Sequence, residues 1–166
     1  KKWTVSELLN DVKNTKTGRN FEQGKAMFSQ AACFKCHRFD RQGGLVGPDL
    51  SAVGRRYNDL NLLESLIEPN KVISDQYEAT TFVLDNGKSV TGRVVNLVND
   101  QYLVSENMLD PGRLTPVKTG MIEEKIASKV SMMPARLLDT LTKNEILDLI
   151  AYLRSGGDPE HALFKK

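Results

Sequence analysis

Apolar and polar positions alternate along the chain with two different periods. Trp3, Leu8, Leu9 and Val12 form an apolar stripe, and Thr4-Val-Ser-Glu7 has the spacing of a capping box. Together they predict a short helix over residues 4–14. A polar stretch over 14–20 reads as a linker. A second helix is expected from Asn20, with Gln23 placed to cap back, through Gly24, Met27, Phe28 and Ala31 toward Cys33. Gly24 and Phe28 share a face. A glycine there weakens the helix and makes sense where another helix crosses closely. Residues 43–50 have loop chemistry. Residues 59–68 read as a helix with Asp59 as cap, Leu62, Leu63, Leu66 and Ile67 apolar, and Pro69 as terminator.

The period then changes to two. Residues 77–84 are rich in aromatic and β-branched side chains, and Asp85-Asn86-Gly87 is a hairpin turn signal. Strands are expected over 88–98 and 101–105, with Asn99-Asp100 as the turn between them. Short strands over 114–117 and 121–126 follow a turn at Asp110-Pro111-Gly112. The helical period returns at Thr142-Lys-Asn-Glu145, a second capping box, followed by Ile146, Leu149, Ile150 and Leu153. Gly156-Gly157 stops that helix. The expected fold is mostly α with a small antiparallel β insertion after the third core helix. The expected divisions are an extension helix over 1–18, a main domain over 19–156 with the insertion at about 76–127, and a polar tail over 157–166.

Composition narrows the picture. A chain of 166 residues that is 40% hydrophobic suits one globular domain with an elaboration. No apolar run approaches the ~20 residues of a membrane span, so no transmembrane segment is expected. Residues 1–56 carry 11 Lys+Arg against 5 Asp+Glu, and residues 57–166 carry 12 against 16. The first part is therefore basic, which suits either steering toward an acidic partner or headgroups or a solvated surface whose charge also neutralises haem propionates. Nucleic acid is not expected as a partner, because no basic run is interleaved with aromatics.

The chemistry is concentrated in Cys33-Phe34-Lys35-Cys36-His37. Both cysteines and one of the two histidines lie in this run. Cys-x-x-Cys-His is the attachment signature of c-type haem. Two intervening residues place both sulfurs along one porphyrin edge for thioether bonds, and His37 then supplies a proximal imidazole. A structural zinc site needs four ligands, and His161 is the only other histidine. A thioredoxin-like pair should follow a strand, whereas the residues before Cys33 read as helix. One covalently attached haem c is therefore expected. Pro48 keeps a carbonyl able to accept the other ring N–H of His37, as a ligand histidine requires. Arg55 and Arg56 suit bidentate recognition of a haem propionate. For a sixth ligand the sequence offers Met, Lys or nothing, and the methionines are the candidates to place. Met27 precedes the motif and cannot reach the opposite face, Met108 and Met121 lie in the strand region, and Met132-Met133-Pro134 forms a loop ahead of the last helix.

These segments resemble class I cytochrome c. The resemblance runs through Gly24-x-x-x-Phe28, Cys33-x-x-Cys36-His37, Gly47-Pro48-Asp49-Leu50, the helix ending Leu66-Ile67-Glu68-Pro69-Asn70-Lys71, and a Met-Pro followed by Leu149-x-x-Tyr152-Leu153. It implies a cytochrome c fold in which Gly24 and Phe28 meet Tyr152, and it favours Met133 over Met132 as axial ligand. The chain departs from that family by the inserted strands. In that respect it resembles the haem-binding domain at the C-terminus of large predicted dehydrogenases of planctomycetes and verrucomicrobia, through Gly-Pro-Asp-Leu, residues 68–78 and Ser-x-Met-Pro. The implied function is single-electron transfer, not enzymatic turnover, with a redox partner protein or fused dehydrogenase domain. The alternative is a haem enzyme or sensor with a displaceable methionine. Haem attachment is extracytoplasmic in bacteria, so a periplasmic or other extracytoplasmic location is expected. A start without Met fits a processed or excised chain.

Overall fold

A computed structural model describes residues 1–166. The chain divides into two compact units. One joins residues 1–71 to 134–166, and the other spans 72–133.

The first unit is helical. Helix α1 (Val5–Asn14) begins at Thr4 with the full reciprocal capping box, and it buries Leu8 and Val12. Helix α2 (Phe21–Gln30) is capped by Asn20, whose side chain accepts the Gln23 N–H. A left-handed Ala32 (φ 57°) then turns the chain into the four-residue helix α3 (Cys33–Cys36). Residues 38–43, of which only Gly43 was expected to be loop, form a two-stranded ribbon, β1 (Arg38–Phe39) against β2 (Gln42–Gly43). Helix α4 (Val53–Arg56) precedes α5 (Asp59–Ile67), which buries Leu62, Leu63 and Leu66. The cap of α5 is Asn58, not Asp59: the Asn58 side chain accepts the Asn61 N–H, and Asp59 occupies the first helical position, where its charge favours the helix N-terminus. Helix α6 (Lys143–Arg154) starts on the Thr142–Glu145 capping box, is buried along Ile146 to Leu153, and ends at left-handed Gly156 and Gly157.

Packing follows from one close approach. A Cβ at position 24 would lie 2.3 Å from the Asp148 carbonyl oxygen and 2.8 Å from Tyr152 Cβ. Glycine at this position lets α2 lie directly on α6. Phe28 and Phe39 flank Tyr152, with ring centroids 5.9 and 4.9 Å away. Helix α1 packs on α5 and α6. Arg154 joins the three, with its Nη1 donating to the Val12 carbonyl and its Nε 3.4 Å from the Asp59 carboxylate.

The last residues are not a loose polar tail. Leu163 is buried, Phe164 packs edge-on against Phe21, and the carbonyls of Leu163 and Lys165 accept the N–H groups of Arg19 and Gly18. The apolar side chains of this short stretch give it a purchase that its overall polarity hid. His161 accepts the Leu163 N–H and caps a single 3₁₀ turn, Ala162–Phe164.

The second unit is an antiparallel sheet of β3 (Thr80–Leu84), β4 (Ser89–Val98), β5 (Gln101–Ser105), β6 (Thr115–Lys118) and β7 (Ile122–Ala127), in the order β6-β5-β4-β3-β7. The ten-residue β4 serves both halves, and its register slips between Val94 and Asn96. Phe82, Leu84, Val104 and Val117 form the core, with Val90, Val94, Tyr102 and Ile122 packed on it, so every strand contributes. The Lys125 ammonium of β7 donates to the Tyr102 hydroxyl of β5, which requires the sheet to curl across the intervening strands. Helix accounts for 33% of the chain and strand for 20%. The mostly-α expectation therefore describes the first unit, while the second is a five-stranded β unit.

Two measurements test this packing. Gly24→Ala gains about 1 kcal/mol of helix propensity but forces α2 off α6. A net loss of roughly 2 kcal/mol is expected in urea unfolding, and unchanged stability would contradict the crossing. Glu7 is held at a pKa of about 2, below 4.5, by hydrogen bonds from Lys1 and then Thr4. A depressed carboxylate contributes stability above pH 4.5 that is lost as pH falls from 4.5 to 2. Glu7→Gln is therefore expected to flatten the thermal midpoint across that interval.

Candidate functional site

The motif sits where α2 delivers the chain to α3. Cys33 is buried and Cys36 half-buried, and both are free thiols. Burial pushes the Cys33 thiol up to about 11, and burial also raises Cys36. Both are therefore protonated at neutral pH, unlike the acidic attacking thiol of a Cys-x-x-Cys oxidoreductase. No cluster of three or more His, Cys, Asp or Glu side chains able to hold a bare metal ion is present.

His37 follows α3, with its backbone N–H on the Cys33 carbonyl. Its ring Nδ1 stands 2.9 Å from the Pro48 carbonyl oxygen. A carbonyl only accepts, so Nδ1 carries the proton and Nε2 is left with its lone pair. Burial lowers the His37 pKa, and the Pro48 bond opposes that shift. A neutral imidazole with a fixed tautomer is what an iron ligand requires.

The loop after the motif is moulded onto it. The Gly44 N–H donates to the Phe34 carbonyl at 2.8 Å, and the Gly47 N–H to the Cys36 carbonyl at 2.7 Å. A Cβ on Gly43 would stand 2.3 Å from the His37 carbonyl oxygen, and one on Gly44 2.2 Å from that of Lys35. A Cβ on Gly47 would press on the imidazole itself, 2.7 Å from Cε1 and 2.8 Å from Nδ1. Gly47 therefore leaves a cradle shaped to one ring orientation. Sequence reasoning read these glycines only as loop formers. Their spacing behind the motif was the available signal.

The remaining expected residues are distributed as follows. Arg55 and Arg56 are exposed in α4, which is held against the end of α6 by Gly54, whose Cβ would lie 2.3 Å from the Arg154 carbonyl oxygen. Met133 is half-buried at the end of the second unit, and its N–H donates to the Ser131 hydroxyl. Met132, Met108 and Met121 are also half-buried in that unit, and Met27 is buried in α2. The structure thus brings together Cys33, Cys36, His37 and Pro48 in one site of the first unit.

Two thiols at this spacing, a tautomer-fixed histidine with Nε2 available, and a glycine cradle under the ring fit a covalently attached haem. Residues 21–94 match the cytochrome c family model. The match runs from α2 through the motif and α5 into β4, and it supports a class I cytochrome c domain: a haem-binding, electron-transfer module with covalently bound haem c. No curated protein matches the chain. No helix is long and apolar enough to cross a membrane.

The cradle yields a direct test. Gly47→Ala is expected to tilt the His37 ring and shift the EPR g-values of the ferric protein, which report the axial ligand plane. A spectrum identical to wild type would show that Gly47 does not orient the imidazole.

Proposed function

We propose that this chain is a single-haem electron carrier with His37 and Met133 as axial ligands. The observation that carries the reading is the Cys33-x-x-Cys36-His37 run, with the His37 Nδ1–H committed to the Pro48 carbonyl. That bond fixes the ring and directs Nε2 toward the metal position. Bound there, haem iron supplies reversible one-electron chemistry, and a His/Met pair raises its potential. Cys33 and Cys36 tether the group, so it is not lost between redox cycles. Met133 is chosen over Met132 because it directly precedes Pro134, as in the resemblance. Arg55 and Arg56 are assigned to the propionates, since exposed guanidinium groups in a short helix can reach carboxylates bidentately.

The partner is a redox protein or a dehydrogenase domain of the same polypeptide. Phe34 and Leu45 are exposed (43% and 73%) beside the motif, with Lys35, Arg38 and Arg41 close in sequence. An apolar centre with basic neighbours suits transient docking on an acidic partner. Covalent haem attachment assigns the chain to the periplasm or another extracytoplasmic compartment.

Oxidised and reduced visible spectra of the purified protein test the reading. The ferric wild type is expected to show the methionine–iron charge-transfer band. Met133→Ala is expected to abolish the band and lower the potential, while Met132→Ala leaves both in place. Loss of the band in Met132→Ala instead would transfer the ligand role to that residue.

A further inference from the structure

Met133 is joined directly to Pro134, and the turns over 135–141 lead from there to Thr142, the cap of α6. Whatever fixes those turns fixes the backbone on which the methionine is mounted. Leu138 and Leu141 anchor them by burial. One further link comes from far away in sequence: the Trp3 indole Nε1–H donates to the Leu141 carbonyl at 3.1 Å, in a buried position. Trp3 is itself buried just before Thr4, the cap of α1, outside the residues that match cytochrome c.

The turns carry further bonds: the Lys1 backbone nitrogen donates to the Asp139 carbonyl at 2.7 Å, Arg136 Nε lies 2.6 Å from the Asp139 carboxylate, and the Asp139 and Leu141 N–H groups donate to the Arg136 and Leu138 carbonyls. A cavity of about 500 Å³ lies within the first unit, and Trp3, Leu66, Ile67, Ala135, Arg136 and Leu138 are among the residues that line it. Arg136 is also left-handed (φ 69°), a conformation unfavourable for a residue with a side chain. Such a residue persists only where its surroundings over-determine it. Among these constraints the indole bond is the buried side-chain link, and it comes from 138 positions away.

We propose that Trp3 is a positioning residue for the axial methionine: helix α1 and its indole hold the segment after Met133 and so resist displacement of the thioether from iron. This inference rests on Met133 being the ligand. Removing one buried hydrogen bond worth ~1.4 kcal/mol corresponds to a tenfold change in an equilibrium or rate.

The test uses the full-length ferric holoprotein with imidazole as the competing ligand. Trp3→Phe keeps an aromatic ring but removes the N–H. It is expected to bind imidazole about tenfold faster than wild type and to weaken the methionine band. Phe164→Ala removes a ring packed on Phe21 of α2, more than twenty residues beyond these turns in sequence. It is expected to lower the melting midpoint without changing the imidazole rate. An unchanged rate in Trp3→Phe, or equal acceleration in Phe164→Ala, overturns the proposal. The chain has a single tryptophan, so one indole N–H resonance gives a check that needs no variant. It is expected to shift when imidazole saturates the wild type, and a resonance that stays in place overturns the proposal. A wild-type spectrum without the methionine band overturns the ligation reading itself, independently of any Trp3 variant.

Discussion

Helix α2 can lie against α6 only because position 24 has no side chain, and the site is built outward from that crossing. The approach is close enough that a single Cβ would overlap the Asp148 carbonyl. Around it the two helices are fastened at both ends. The Asp148 carboxylate accepts the N–H of Asn20, the residue that caps α2, and lies 3.6 Å from the Arg19 guanidinium. At the other end Tyr152 packs against Phe28 of α2 and against Phe39, two residues beyond His37. The motif thus hangs between two fixed points, α2 before it and the Phe39 ring after it. Glycine lowers the intrinsic stability of α2, and the packing it permits more than offsets that cost.

The same device recurs one level down. Gly43, Gly44 and Gly47 let a loop run against α3 and the imidazole at distances no other residue allows. That loop brings the Pro48 carbonyl to the ring. The backbone bonds from Gly44 and Gly47 to the motif carbonyls fasten this loop to the motif. The Pro48 carbonyl and the bare Gly47 together restrict the His37 ring to one orientation.

What could be read from sequence was local. Both capping boxes act across three residues and formed as their spacing implied. The Asp-Asn-Gly and Asn-Asp turns carry the left-handed residues Gly87, Asn99 and Asp100, so the strands they join fell close to their expected places. The Pro48 carbonyl was legible because a ligand histidine needs an acceptor and the sequence offers one soon after the motif. The cap of α5 was misplaced by one residue because Asn58 and Asp59 can both serve and only backbone geometry separates them. The β1–β2 ribbon, the burial of Leu163 and the Trp3–Leu141 bond were not legible. Each depends on residues brought together by the tertiary fold, and Trp3 and Leu141 are 138 positions apart.

The second unit shows why such a long excursion is tolerated between α5 and the methionine loop. Thr80 at the start of β3 pairs with Ala127 at the end of β7, and the Ser128 N–H closes on the Ala79 carbonyl. The chain therefore enters and leaves the sheet at adjacent points. An insertion with neighbouring ends and its own core adds little closure entropy to the host loop. It does add a constraint: the methionine is reached only after the whole sheet has been traversed. The histidine is placed by contacts within the first unit alone. In the proposed ligation, the methionine takes its position from the end of the sheet on one side and from Pro134 and the Trp3-anchored turns on the other. Strength at the histidine is thus a matter of local packing, while strength at the methionine depends on how firmly two separate segments are held. If Met133 ligates as proposed, that bond is therefore the one that sequence changes outside the haem site can tune.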